Sequence, residues 1–300
     1  TRLTLQQLKY VVTVARTGSM SEASKELFIS QPGLTTSIRE LETEMGIKIF
    51  TRTNKGVVTS NEGERFLGYA RQVLEQASLL EGVYKSGTKI KQQFCVSTQH
   101  YSFAVNAFVD LIRRFAGEEY DFSLRETETY EIIDDVAKMK SEIGILYLNS
   151  FNKDALMKII KSKSLTFTEL FTAKPHVFVS TDHPLADKKS VTMEELADYP
   201  YLSFEQGEHN SFYYSEEIFS TVGRTKNIRV TDRATLFNLL IGLNGYTVCS
   251  GVIDNELNGD NITAIPLDEE GNMKIGYIEN KKILHSNLAE AYIEALKKHI

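Results

Sequence analysis

Cysteine is scarce: Cys95 and Cys249 are the only two in 300 residues, too few for a disulfide framework. Each sits in an apolar stretch, Phe94-Cys95-Val96 and Val248-Cys249. A buried structural thiol is the expected role, because a redox sensor needs exposure and a lowered pKa. No apolar run reaches the ~18 residues of a membrane span, and no stretch reads as a secretory leader, so a cytoplasmic protein without a membrane partner is expected. Catalytic signatures are missing as well. The histidines His100, His176, His183, His209, His285 and His299 show no H-E-x-x-H spacing, and neither cysteine lies in a C-x-x-C. There is no G-x-S-x-G and no P-loop. No metal, cofactor or enzymatic activity is expected. Internal repeats and low-complexity tracts are absent. Positive charge is also in deficit, with 34 Lys and Arg against 40 Asp and Glu and a net charge of −6. Taken as an average, that argues against a nucleic-acid partner.

The average hides an asymmetry. Residues 1–90 hold 12 Lys and Arg against 9 Asp and Glu, an excess of +3, while the remainder carries −9. The basic excess lies on the segment with the strongest helical punctuation. Leu5, Leu8, Val12 and Ala15 step by three and four, and this first helix should end near Gly18. Ser19 and Glu22 fit a capping box ahead of Ala23 and Leu27. Ser30 fits a second N-cap, with Pro32 in the first turn, where a missing N–H costs nothing. Only a tight turn fits between Leu27 and Ser30. Two short helices so joined make a helix-turn-helix, whose second helix would enter a DNA major groove. Ser30, Gln31, Pro32, Thr35, Thr36 and Arg39 would meet double-stranded DNA. Leu34, Ile38 and Leu41 fall on the opposite side and should be core. Beyond Gly46, the apolar residues Ile47, Ile49, Val57 and Val58 flank Arg52-Thr53-Asn54-Lys55-Gly56, a hairpin with a basic tip. Such a wing would bring Arg52 and Lys55 to phosphates or a minor groove.

The run Gly18-Ser19, Ala23, Leu27, Ser30-Gln31-Pro32-x-Leu34, Ile38, Leu41-Glu42, Gly46, Phe50-x-Arg52 resembles the signature of LysR-type transcriptional regulators. Thr59 and Glu62 fit a further capping box, opening a helix to about Lys85. Its residues Phe66, Ala70, Val73, Ala77, Leu80 and Tyr84 form a heptad seam suited to pairing with a second chain. The resemblance implies a dimerising linker helix at this position, and a homodimer or homotetramer. Ser86-Gly87-Thr88-Lys89 reads as a joint.

From residue 94 onward strands alternate with helices, which implies a parallel sheet covered by helices. Strands are expected at 94–96, 122–125, 143–147, 176–180, 201–204, 228–230, 246–250 and 274–278. Helices are expected at 104–115, 130–140, 193–196, 210–222, 234–243 and 286–298. Two such units sharing a cleft resemble a periplasmic binding protein, which in LysR-type regulators is the effector domain. The expected division is a winged helix-turn-helix at 1–60, a linker helix and hinge at 61–90, and an effector domain at 91–300. Within the last, the first subdomain would take 91–165 and 268–300, and the second 166–267.

Ligands of open α/β folds bind where strands end and helix N-termini offer free N–H groups. The turns of that kind begin at Ser97-Thr98-Gln99-His100, Glu126-Thr127, Ser203-Phe204-Glu205-Gln206, Thr231-Asp232-Arg233 and Cys249-Ser250-Gly251. Each hydroxyl could equally be a plain N-cap. The resemblance points to Ser97, Thr98, Gln99 and Thr127 for the charged end of an effector, with Ser203 or Thr231 reaching it from the other unit. A small anion, amino-acid-like or sulfur-containing, is expected, held by local donors because the domain as a whole is negative. The function implied is a sequence-specific DNA-binding regulator modulated by a small molecule. The alternative is a cytoplasmic small-molecule-binding or enzymatic α/β protein with an N-terminal interaction module.

Overall fold

The computed structural model describes residues 3–53, 56–85, 92–115, 117, 119–253 and 259–300. The chain divides into two units, Thr1–Ile90 and Lys91–Ile300. Lys55 and the joint at 86–89 lie outside the described residues, as does the side chain of Arg52.

In the first unit Thr4 opens α1 (Leu5–Thr17) with a capping box, its hydroxyl accepting from the Gln7 N–H at 3.2 Å. Gly18, at φ +66, closes the helix. Ser19 caps α2 (Met20–Glu26) by accepting from the Glu22 N–H at 3.3 Å. Ser30 caps α3 (Gln31–Met45) by accepting from the Gly33 N–H at 3.3 Å, with Pro32 in the first turn. The turn between them places Phe28 at φ +55 and leaves its ring exposed. Leu34, Ile38 and Leu41 are buried among Val11, Val14, Ala23 and Leu67. On α1 the buried stripe is Leu8, Val11 and Val14, not the Leu5, Leu8, Val12, Ala15 row, and Leu5 is exposed. The shift follows from α1 packing against α2, α3 and α4 together.

β1 (Phe50–Thr53) and β2 (Gly56–Thr59) pair antiparallel, Phe50 opposite Thr59, as the wing. Glu42 fastens it to α3. Its Oε1 accepts from the Ile49 and Phe50 N–H groups at 2.8 and 3.1 Å, and Lys48 Nζ donates to Oε2 at 3.0 Å. A buried carboxylate serving these donors is hard to replace. Glu42→Ala should cost about 2–3 kcal/mol by leaving the two amides without their charged acceptor. Urea unfolding checks the loss, and hydrogen exchange should quicken at Ile49 and Phe50 before the rest of the unit.

α4 (Asn61–Lys85) runs for 25 residues. Its cap is Ser60 and not Thr59, because Thr59 is held in β2 opposite Phe50. The Ser60 hydroxyl accepts from the Gly63 N–H at 2.9 Å and donates to the Lys48 carbonyl. A Cβ on Gly63 would stand 2.3 Å from the Ile49 carbonyl oxygen, so the helix can lie this close to the wing only with glycine there. Leu67 and Ala70 are buried in the unit's core, whereas Val73, Leu80 and Tyr84 are exposed at 46, 61 and 69%.

The second unit begins with β3 (Gln92–Thr98), α5 (Ser102–Phe115), β4 (Tyr120–Glu126), α6 (Thr129–Ala137), β5 (Ile143–Leu148), α7 (Lys153–Ser162) and β6 (Leu165–Ala173). After α8 (Met193–Leu196) and further strands the chain returns as β12 (Met273–Asn280) and α10 (Asn287–Leu296). The first sheet has the order β4-β3-β5-β12-β6, with β3, β4 and β5 parallel and β12 antiparallel to both neighbours. Phe94, Phe108 and Tyr292 pack edge and face beneath it, and the Tyr292 hydroxyl donates to the Ala104 carbonyl at 2.8 Å, pinning α10 to α5. The second half holds β7 (His176–Ser180) between β10 (Thr247–Cys249) and β11 (Ile262–Pro266). Beside these lie the parallel pair β8 (Tyr201–Phe204) and β9 (Asn227–Val230), followed by α9 (Arg233–Leu243).

Three expectations are corrected. The crossing between subdomains does not fall at 165/166, because β6 stays in the first sheet to Ala173, paired with β12 along its length. α7 was not foreseen: Leu156 and Ile160 are its buried residues, four apart, and its start hides behind the turn-like run Asn149-Ser150-Phe151-Asn152. The helix expected at 210–222 does not form. Ser211 caps a single 3-10 turn, Phe212–Tyr214, and Phe219 takes φ +64. Glu216 and Glu217 are buried there, each bonded to donors from other elements.

Candidate functional site

Two sets of residues offer themselves. On α3, Gln31, Pro32, Thr36 and Arg39 are exposed and Thr35 is half-buried, its hydroxyl donating to the Gln31 carbonyl at 2.9 Å. Ser30 is exposed at the helix start. These side chains share the face opposite Leu34, Ile38 and Leu41, and the wing strands follow on the same unit.

In the second unit, the six residues expected to hold a ligand do not converge. Ser97, Thr98 and Gln99 are fully buried, and their polar groups serve the protein itself. The Ser97 hydroxyl donates to Asp135 Oδ2 at 2.8 Å and lies 2.7 Å from the Ser141 hydroxyl. Thr98 donates to the Gln99 carbonyl at 2.7 Å. The Gln99 amide donates to Thr129 Oγ1 at 2.6 Å and accepts from the Tyr101 hydroxyl and the Tyr147 N–H. Thr127 is half-buried and donates its N–H to the Thr98 carbonyl at 3.0 Å. Ser203 lines a separate polar cavity of about 700 Å³ with Arg224 and Arg229, and Thr231 is exposed. A buried hydroxyl beside Asp135, as at Ser97, bonds inward and leaves no donor facing out of the turn.

What converges there begins one residue later, at His100. Its N–H donates to Glu216 Oε2 at 3.0 Å, and its Nδ1 lies 2.9 Å from the same oxygen and 3.0 Å from Oε1. The Gln206 amide donates to Glu216 Oε1 at 3.3 Å, while Gln206 Oε1 accepts from the Thr129 N–H at 2.9 Å. The Phe204 ring lies flat on the imidazole, centroids 3.7 Å apart. A second pair, Arg233 with Glu126 at 3.0 Å, links α9 to the end of β4. Glu217 turns to the other side and accepts from the Phe204 N–H at 2.8 Å. Thr129, bonded to Gln99, Gln206 and the Tyr214 carbonyl, ties both halves together.

Burial works against charge on His100, but the Glu216 carboxylate outweighs it and lifts the imidazole above its ordinary pKa. Burial, with the nearby Glu216 charge, pushes the Glu217 carboxyl up to about 8. Burial also raises Glu126, against the pull of Arg233. The partly open pocket between these groups holds about 40 Å³ and is lined among others by His100, Phe178, Glu217, Arg233, Cys249 and Met273. That volume admits only a few water molecules. Burial pushes the Cys249 thiol up to about 12, which removes thiolate character at neutral pH.

His100, Glu126, Gln206 and Arg233 all lie in the strand-end turns that the sequence marked, but as neighbours of the chosen residues. Glu216 and Glu217 were hidden in a stretch expected to be helical. No local signal set them apart, since adjacent acidic pairs also stand inside helices here, Asp134-Asp135 in α6 and Glu194-Glu195 in α8. Among the described residues, no group of three or more His, Cys, Asp and Glu is placed to hold a metal, and no helix is long and apolar enough to cross a membrane.

Residues 5–64 match the family described as bacterial regulatory helix-turn-helix protein, lysR family, and residues 96–300 match the LysR substrate binding domain. The HTH-type transcriptional regulator YnfL of Escherichia coli is 29% identical over 205 residues, 67% of this chain and 65% of that protein. The HTH-type transcriptional regulator CysB of Burkholderia cenocepacia is 28% identical over 210 residues, 68% of this chain and 63% of that protein. The chain thus matches just under two thirds of the length of these relatives. A Corynebacterium glutamicum OxyR variant superposes with a TM-score of 0.53 at 19% identity, covering 100% of this chain and 94% of that one, a likeness of fold.

Proposed function

The chain belongs to the LysR family of bacterial regulatory helix-turn-helix proteins, and from that premise we propose that it is a transcriptional regulator that reads double-stranded DNA and answers to a small molecule. α3 and the β1–β2 wing meet the DNA. Two or four copies assemble, two of them through the exposed seam of α4. Residues 91–300 hold the effector, and the protein works in the cytoplasm, where its operator lies.

The observation that carries this reading is the α3 face. Gln31, Thr36 and Arg39 stand in solvent while Leu34, Ile38 and Leu41 are buried behind them. Polar side chains of that kind match base edges, and Arg39 has the geometry for a bidentate contact to guanine. In a gel-shift series Arg39→Ala should lose ~1–3 kcal/mol on the cognate site and relax its specificity. A uniform loss across sequences with a salt slope reduced by about one would move Arg39 to a phosphate. Unchanged affinity for every DNA tested would remove it from the interface.

For the effector, the donors gathered at His100 support an anion, in keeping with an amino-acid-like metabolite, sulfur-containing or not. The contact atoms are the His100 N–H, its imidazole and the Gln206 amide, in place of the Ser97, Thr98 and Gln99 side chains.

A further inference from the structure

The turn after β3 is a finished anion site, and it is full. One backbone N–H, one imidazole raised toward its charged form and one side-chain amide all address a single carboxylate. The His100 and Glu216 side chains are only 4 and 6% exposed. The carboxylate comes from the protein itself, 116 residues further along the chain. Its segment, residues 215–219, has no helix or strand ladder to hold it; it follows a 3-10 turn, ends on Phe219 at φ +64, and is placed between those ends by the bonds of Glu216 and Glu217 and the burial of Ile218. Beside the carboxylate is the small, partly open pocket, and one of its lining residues, Arg233, has a buried Nη1 without a hydrogen-bond partner. Withdrawing Glu216 would join its volume to that space and offer an incoming carboxylate the same donors.

We propose that Glu216 is a built-in stand-in for the effector: a small carboxylate-bearing molecule takes its place at His100 and Gln206 and thereby releases residues 215–219. The inference rests on reading residues 91–300 as an effector unit and deepens it, by naming both the ligand's anchoring group and the contact it must break. A tethered carboxylate competes at an effective concentration in the millimolar range or above, so a ligand must gain additional contacts in the enlarged pocket to win. Neutral and cationic molecules have no such route.

Propionate reproduces the Glu216 side chain and is the probe. Thermal melts of the full-length protein are recorded with sodium propionate and with propylammonium chloride at equal ionic strength, for the wild type, Glu216→Ala and Glu216→Gln. Glu216→Ala should melt lower than the wild type, and propionate should restore it in a saturable manner, at concentrations roughly tenfold or more below those that move the wild type. Glu216→Gln keeps the volume and so guards against a variant that does not fold; it is a weaker occupant, and propionate should stabilise it more than the wild type. Equal response of all three proteins to propionate would overturn the proposal. So would stabilisation of the wild type by propylammonium and not by propionate, which would make the pocket a cation site. DNA binding is read separately by gel shift. Absence of any DNA complex would refute the regulator reading, while the melts decide the stand-in on their own.

Discussion

Val73→Glu should leave a protein that folds and no longer pairs. Val73 is exposed at 46% on α4, on the seam with Ala77, Leu80 and Tyr84 and beyond the last buried residues, Leu67 and Ala70. No core of its own unit is disturbed by a charge there. In a paired helix the same charge would be carried into an apolar interface, where an unpaired carboxylate is costly. Sedimentation should show monomer at low micromolar concentration. DNA affinity should drop by about 10²–10⁴, because two linked readers bind two half-sites with an effective concentration that a monomer lacks. A mutant still dimeric at that concentration would place the pairing surface elsewhere.

The second large effect is a pH dependence. The Glu217 carboxyl is lifted from about 4.5 to about 8, first by burial and then by the charge on Glu216. The folded state therefore keeps this proton between about pH 4.5 and 8, where the unfolded chain has lost it. Stability contributed by Glu217 is then present at low pH, falls as pH rises through that window, and is gone above it. Glu126, raised by burial, slopes the same way over a narrower range. His100, raised through Glu216, likewise stabilises while protonated and loses that contribution as pH climbs past its folded value. Tyr101, Tyr147, Tyr201 and Cys249, pushed up by burial, stay neutral throughout. Glu217→Gln retains an oxygen for the Phe204 N–H and removes the titration. At pH 9 it should stabilise the protein by about 3–5 kcal/mol relative to wild type, and at pH 5 by less than about 1 kcal/mol. Urea melts at both pH values check this; parallel pH profiles for the two proteins would show that Glu217 ionises freely when folded.

The reading unit was legible because its signals are local. Ser19, Ser30, Pro32, Gly18 and Gly46 punctuate helices within a few residues of themselves, and each stands where the spacing put it. Part of the alternation of strand and helix after residue 92 was legible for the same reason, while β6, α7 and β11 were not among the expected elements. The cluster around His100 was not, because it is assembled from residues far apart. Whether Ser97 faces a ligand or Asp135 depends on α6, 38 residues away, and nothing within the turn records it. Glu216 and Glu217 escaped notice because helical propensity was read where long-range bonds to His100 and Phe204 decide the conformation. The shift of the α4 cap from Thr59 to Ser60 is a smaller instance, settled by a strand pairing and not by the cap residues.

The close seating of Gly63 on the Ile49 carbonyl has a mechanical consequence. Ser60 grips Lys48, Glu42 grips Ile49 and Phe50, and no side chain cushions the gap at Gly63. The first turns of α4, the wing and α3 therefore form one stiff lever with little backlash. A torque applied to the far end of α4 would be delivered to the recognition face almost undiminished, as a change in the separation and tilt of two such levers. A body of this kind has little means of altering which bases one arm reads. On the proposed function, what it can alter is the span between arms, so half-site spacing is the operator variable on which ligand-free and ligand-bound protein should disagree.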